Sequence, residues 1–180
     1  MARKCLSVYT NKVKKWPYNK FILIQFAALV SIHIFFVALM KICVMVFSLE
    51  SAIPVQDIHE FCILKSILKL VIGAIIETFV FQTILYYVFC KKGKLLSPSK
   101  YIICSSLLFA LAHLTQIDGI FIIDLLQILC HFFAGIVYAF IYYIAKKERK
   151  NAFISVALIH FMFNFCIVGI IWVGVHNLSN

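Results

Sequence analysis

Apolar residues fall into five long runs along this 180-residue chain, separated by short polar or basic segments. The runs occupy about residues 21–49, 64–90, 101–116, 120–145 and 152–175. Each is close to or beyond the ~20 residues that an α-helix needs to cross a bilayer. The pattern therefore predicts an all-α, polytopic membrane bundle of about five transmembrane helices. Its punctuation agrees. Pro54 breaks the polar loop at 50–60, Ser97 or Ser99 can cap the third helix, and Ile117-Asp118-Gly119 turns the chain into the fourth. Lys65 and Lys69 open the second run, where long side chains can snorkel to the interface. The first run is too long for the apolar part of a signal peptide, and no small-residue cleavage site follows it. It reads as an uncleaved anchor.

The charges then orient the bundle. Lys and Arg cluster in the N-terminal segment (Arg3, Lys4, Lys12, Lys14, Lys15, Lys20), at 91–100 and at 146–150. The loops at 50–60 and 117–119 are acidic, and the C-terminal tail is uncharged. Basic segments thus alternate with acidic or neutral ones along five spans, and the positive-inside rule puts the N-terminus in the cytoplasm. A hydrophobic share of 64% with 13% charged residues excludes an ordinary soluble domain, which has about 45–50% and about 25%. The net charge of +10 belongs to membrane orientation, so no nucleic-acid partner is expected. Seven scattered cysteines without a C-x-x-C pair predict neither a disulfide framework nor a zinc–thiolate site. The chain divides into a basic N-terminus, first anchor and outer loop (1–63), a helical core (64–175) and a short outer tail (176–180).

Against this apolar background a few side chains stand out. Glu77 lies mid-span, where a carboxylate costs roughly 3 kcal/mol to insert, and such a residue is by default a candidate for function. His113 in the third run and His160 and Asn164 in the fifth are the other polar groups at depth. With about 1.5 Å of rise per residue, Glu77, His113 and Asn164 all come out roughly 18–20 Å from the basic ends, and His160 roughly 12 Å. His160 and Asn164 are spaced i, i+4 and share a helix face, as do Thr78 and Gln82 beside Glu77. A lone buried histidine is usually satisfied by a neighbouring helix, but a carboxylate, two imidazoles and an amide at similar depth point to a shared cavity. The fourth run adds a polar stripe of Asp124, Gln127, His131, Gly135 and Tyr138. His131 is its candidate for an accessory role, and Gly135 suits close helix packing. His33 and Lys41 are expected to face neighbours or snorkel. His59 and His176 lie towards the outer surface, without a role.

With their flanks, these residues resemble the CPBP family, the type II CAAX-prenyl endopeptidases and their bacterial relatives, also called the Abi family. Its pattern is Glu-Glu-x-x-x-Arg, then Phe-x-x-x-His, then His-x-x-x-Asn or His-x-x-x-Asp. Here these read Glu77-Thr78-Phe79-Val80-Phe81-Gln82, Phe109-Ala110-Leu111-Ala112-His113 and His160-Phe161-Met162-Phe163-Asn164. The resemblance covers about residues 64–175. It implies an intramembrane endopeptidase, multi-pass in a bacterial plasma membrane, that hydrolyses hydrophobic or lipidated peptides by a glutamate-activated water. Glu77 would be the general base, His113 would orient the water, and His160 with Asn164 would stabilise the oxyanion. The chain departs from the pattern where Thr78 stands for the second Glu and Gln82 for the Arg. Two charges that could pair at i, i+4 are absent together, leaving a neutral pair that can hydrogen-bond and support helix placement.

Two other readings fit the same residues: a non-catalytic relative that binds or sequesters a peptide in an immunity or regulatory role, and a small ion or proton carrier that uses Glu77 as a relay. No paired half-helices or repeats favour the carrier. H-E-x-x-H and G-x-S-x-G motifs are both missing from the sequence. No cofactor is expected. Zinc on two His and a Glu ranks below a metal-free site, because the ligands would come from three helices.

Overall fold

A computed structural model describes residues 16–47, 63–92, 97–114, 121–148 and 150–178. The basic segment 1–15, the loop at 50–60 with His59 and the turn at 117–119 lie outside the described residues. All described secondary structure is helical. Helix α1 spans Tyr18–Val46, α3 Pro98–Ala112, α4 Phe121–Lys147 and α5 Ala152–Leu178. Helix α2 (Ile63–Glu77) runs on into π-helical turns over Thr78–Ile84 and Tyr87–Lys92. Three helical stretches are long and apolar enough to cross a membrane: Tyr18–Val46, Ile67–Cys90 and Phe121–Lys147. Pro98–Ala112 and Ala152–Val168 are shorter apolar helices. The chain is an all-α integral membrane bundle.

The helices start where the sequence changes character. Ser97 takes the N-cap of α3, as its place before Pro98 suggests, but its side chain makes no capping bond. Pro98 begins the helix instead, with a ring that presets φ and no N–H to leave unpaired. Many large apolar side chains point outward, among them Leu23, Phe35, Phe79, Leu107 and Phe121. In water such a surface would associate; in a bilayer it faces lipid of its own polarity.

Helix α4 is the hub, packing on α1, α3, α5 and the π-helical segment. Small residues allow this. A Cβ built on Gly135 would lie 2.9 Å from the Ser106 Cα and 3.3 Å from Cδ1 of Phe109. No side chain fits there, so the backbones of α3 and α4 touch.

At one end of the bundle lie the described residues that adjoin the basic segments. Tyr18, at the start of α1, pairs through its hydroxyl with Ser155 Oγ of α5 at 2.7 Å. Lys150 Nζ lies 5.3 Å from the centre of the Phe21 ring, and Lys146 Nζ lies 5.6 Å over Tyr142. Tyr142 contacts Tyr86, which meets Tyr101 edge-on at the start of α3. The first described turn of α1, the 146–150 turn and the helices flanking the 91–100 turn therefore share one end, as the alternation of charge requires.

Candidate active site

The site is built where α2 changes its winding. After Glu77 the helix opens into π turns, which are frequent at functional sites and set backbone carbonyls out of the α ladder. Helix α3 covers those carbonyls with hydroxyls. Ser105 Oγ donates to the Phe81 carbonyl at 2.6 Å and Tyr101 to the Gln82 carbonyl at 3.2 Å. The Thr83 hydroxyl donates to the Thr78 carbonyl, five residues back, at 3.4 Å. Phe81 meets Phe109 edge-on at 5.6 Å. The segment after Glu77 is thereby tied to α3, whose end carries His113.

His113 is the first residue beyond the last turn of α3. Its Nδ1–H donates to the Phe109 carbonyl at 2.8 Å, which aims Nε2 away from its own helix. Nε2 lies 3.7 Å from Glu77 Oε2. His160 on α5 brings its Nε2 to 3.6 Å from the same oxygen. Its ring stacks on Tyr138 of α4, with centroids 4.5 Å apart. Oε2 itself is buried and makes no hydrogen bond within the protein. Three helices therefore bring one carboxylate oxygen and two imidazole nitrogens together, with the carboxylate side chain 28% exposed and His160 only 4%.

Asn164 stands one turn beyond His160 and helps line a neighbouring cavity of about 490 Å³ between α1, α2, α4 and α5. His33, Gln127, Cys130 and His131 supply the other polar groups of its wall, while Leu29, Phe163 and other apolar side chains form the rest. Glu77, His113 and His160 are not among its lining residues. His131 joins the two places: it lines the cavity, and its ring lies parallel to that of His113 at 4.1 Å and 19°. Gln127 and His131 of the expected α4 stripe face the cavity, while Gly135 and Tyr138 are buried against neighbouring helices. His33 faces neighbours, with Nδ1 3.9 Å from Cys130 Sγ and its ring edge-on to Phe163. Lys41 is exposed.

Thr78 and Gln82 correct an expectation. Both are fully buried, yet Thr78 Oγ1 and both amide atoms of Gln82 have no hydrogen-bond partner, so the two do not bond to each other. Spacing puts the two residues on one face, but it does not by itself bring Thr78 Oγ1 and the Gln82 amide within hydrogen-bond reach. Nothing in the spacing singles out Ser105 and Tyr101 as supports of the π segment. A hydroxyl in an apolar helix ordinarily bonds back to its own backbone, as Ser106 does to the Ile102 carbonyl at 2.6 Å. Among the described residues no group of three His, Cys, Asp or Glu side chains is arranged to hold a metal ion.

A helical membrane bundle with a carboxylate set between two imidazoles narrows the class of protein, and the family follows from the sequence. Residues 59–166 match the family described as Type II CAAX prenyl endopeptidase Rce1-like, over more than half of the chain. The chain belongs to this family. Glu77, Thr78, Gln82, His113, His131, His160 and Asn164 all fall within the matched span, and α1 lies outside it. The chain matches no curated protein and no solved structure. Family and fold together make it an integral membrane protein of a protease family, with hydrolase chemistry and lipidated peptides in general as that family's province.

Proposed function

We propose that the protein is an intramembrane endopeptidase in which Glu77 activates water against a peptide bond of a hydrophobic or lipidated substrate in a bacterial plasma membrane. One observation carries this reading: Glu77 Oε2 lies 3.7 and 3.6 Å from two imidazole nitrogens delivered by different helices, in a chain of an endopeptidase family.

The protons can be followed. The Phe109 carbonyl can only accept, so the Nδ1 of His113 bonded to it carries a proton. In the form protonated at Nδ1 alone, His113 would turn a lone pair at Nε2 towards the carboxylate. Two acceptors facing each other beyond hydrogen-bond distance suit a water that donates one proton to each. Attack by that water on a carbonyl carbon transfers one proton to Glu77 and forms a tetrahedral intermediate. Glu77 hands this proton to the leaving nitrogen as the C–N bond breaks. An Nε2–H on His160 would donate to the oxyanion, with the Asn164 amide one turn away as second donor, and donors fixed in a dry site need little reorganisation. The cavity behind Asn164 and His131 has the volume of small-molecule sites generally, about 300–1,000 Å³, and its apolar wall would take an apolar part of the substrate.

The test uses purified protein in lipid nanodiscs with a fluorogenic library of hydrophobic peptides, prenylated and plain. Glu77→Gln is expected to lower kcat/KM about 10²–10⁴-fold, the usual share of a general base, with binding retained. His113→Ala and His160→Ala should fall in the same direction. Hydrolysis that survives Glu77→Gln would overturn the glutamate mechanism. Binding without any hydrolysis by the unaltered chain would instead support peptide sequestration, and chelator sensitivity would expose a metal.

A further inference from the structure

We infer that His131 is a positioning residue that fixes the plane of the His113 ring through face-to-face stacking and takes no part in the proton transfer to Glu77. The inference rests on reading His113 as the partner of Glu77.

The backbone alone does not orient His113. It stands just past the helix end, at φ −94° and ψ 3°, with its N–H turned to the carbonyls of Ala110, at 3.1 Å, and Leu111. The ring is placed by its contacts instead. The Nδ1–H bond to the Phe109 carbonyl fixes one edge and selects the tautomer, but a single hydrogen bond lets the ring swing about its own axis. That swing would carry Nε2 towards or away from Glu77. A flat ring lying parallel at 4.1 Å removes this freedom. The Phe109 ring, tilted by 46° at 4.6 Å, closes a second side. Misplacing a reacting group by about 1 Å can cost about 100-fold in rate, so the orientation of this ring matters.

The stack is itself anchored. Gly135 stands one turn beyond His131, on the same face of α4, and its missing side chain lets α4 press on Ser106 and Phe109 of α3. His113 follows Phe109 by one turn on α3. The helix contact and the ring contact are therefore neighbouring rungs of one interface, and the first sets the spacing of the second. The ring of His131 also meets Phe109 at 6.2 Å and lines the cavity, while the nitrogens facing Glu77 Oε2 belong to His113 and His160. That placement suits support, not proton transfer to the carboxylate.

The experiment compares His131→Phe, His131→Ala and His131→Gln in the full chain, in nanodiscs. Two readouts are taken: kcat and KM for the best peptide, and the rate at which diethyl pyrocarbonate modifies His113, followed by peptide mass spectrometry. Phenylalanine keeps a flat face and no proton chemistry, so it should keep kcat within about threefold, whereas Ala and Gln should lower it about 30-fold at near-constant KM, the scale of a misplaced group. In both the Ala and Gln variants His113 should be modified several-fold faster. Should Ala fail to fold, Gln carries the comparison. A Phe variant as impaired as Ala would overturn the proposal, as would unchanged His113 reactivity in the Ala or Gln variant. If the unaltered chain cleaves nothing, the catalytic reading fails, while the modification rates still decide the stack.

Discussion

The basic end of the bundle and the site above it bury polar groups in opposite ways. At the basic end the hydroxyls in the helix interfaces are answered, and the buried atom left without a partner is the carboxylate Oε1 of Glu148 in the turn: Tyr101 bonds to Gln82 O, Ser105 to Phe81 O, and Ser155 to Asn151 O and Tyr18. Around them Ile144, Ala145, Ala152 and Val156 are closed off from solvent. Closer to the carboxylate, Glu77 Oε2, Thr78 Oγ1 and the Gln82 amide are buried without partners in the protein. Gln82 marks the boundary, its carbonyl satisfied by Tyr101 and its side chain by nothing. An unmade buried hydrogen bond costs about 1–3 kcal/mol. The contrast thus separates groups kept for the fold from groups whose retention the fold does not explain.

The largest change in that contrast should come from giving Gln82 a charge. Gln82→Arg puts the family-pattern guanidinium into a fully buried position while the position of the second Glu is still Thr78. A buried charge without its partner destabilises by about 3–5 kcal/mol. Adding Thr78→Glu should recover more than half of that loss, because both side chains are long enough to meet across the π turn. Thermal unfolding in detergent micelles measures the single and double variants. A double variant no more stable than Gln82→Arg alone would mean that the two positions do not face each other.

A smaller loss is expected at the interface joining the two regions. Gly135→Val places a Cβ within 2.9 Å of the Ser106 backbone, which has no flexible side chain to yield. Overpacking of this kind costs about 1–3 kcal/mol. The outcome should be a lower unfolding midpoint together with faster modification of His113, since parting α3 from α4 also opens the ring stack. A Val variant as stable as the parent would show that the helices can slide apart freely.

How far the residues alone reach is visible in the same two regions. The five helices and their alternation follow from run length and Lys/Arg placement, because bilayer thickness and the cost of moving charge across it leave few alternatives. Glu77, His113 and His160 can be named from depth and motif, since a polar group in an apolar run has to have a reason. Their convergence on one oxygen cannot be named that way, because it depends on how the helices rotate. Asn164 shows the limit: its i, i+4 spacing puts it on the face of His160, and the structure sets it against the cavity that His131 also lines. The π turns after Glu77 are equally hidden. Ile75-Ile76-Glu77-Thr78-Phe79-Val80-Phe81-Gln82 has no Gly or Pro to signal a change of winding, and the hydroxyls of Ser105 and Tyr101 that cover it come from another helix.

The smallest expected effects make the sharpest comparison, because they should differ in sign. Ser105→Ala removes the donor at 2.6 Å from the Phe81 carbonyl and strands that carbonyl in a buried interface, so stability should fall by about 1–2 kcal/mol. Gln82→Met removes an amide of which neither atom is bonded and keeps a flexible chain of similar length. With no hydrogen bond to lose and an unpaired polar group removed, stability should rise by about 1 kcal/mol. Both residues are fully buried and belong to one α2–α3 contact, so differences in exposure do not enter. Unfolding midpoints of the two variants in the same micelles decide the matter. A loss at Gln82→Met as large as at Ser105→Ala would mean that the amide is satisfied in the membrane and belongs with the groups kept for the fold.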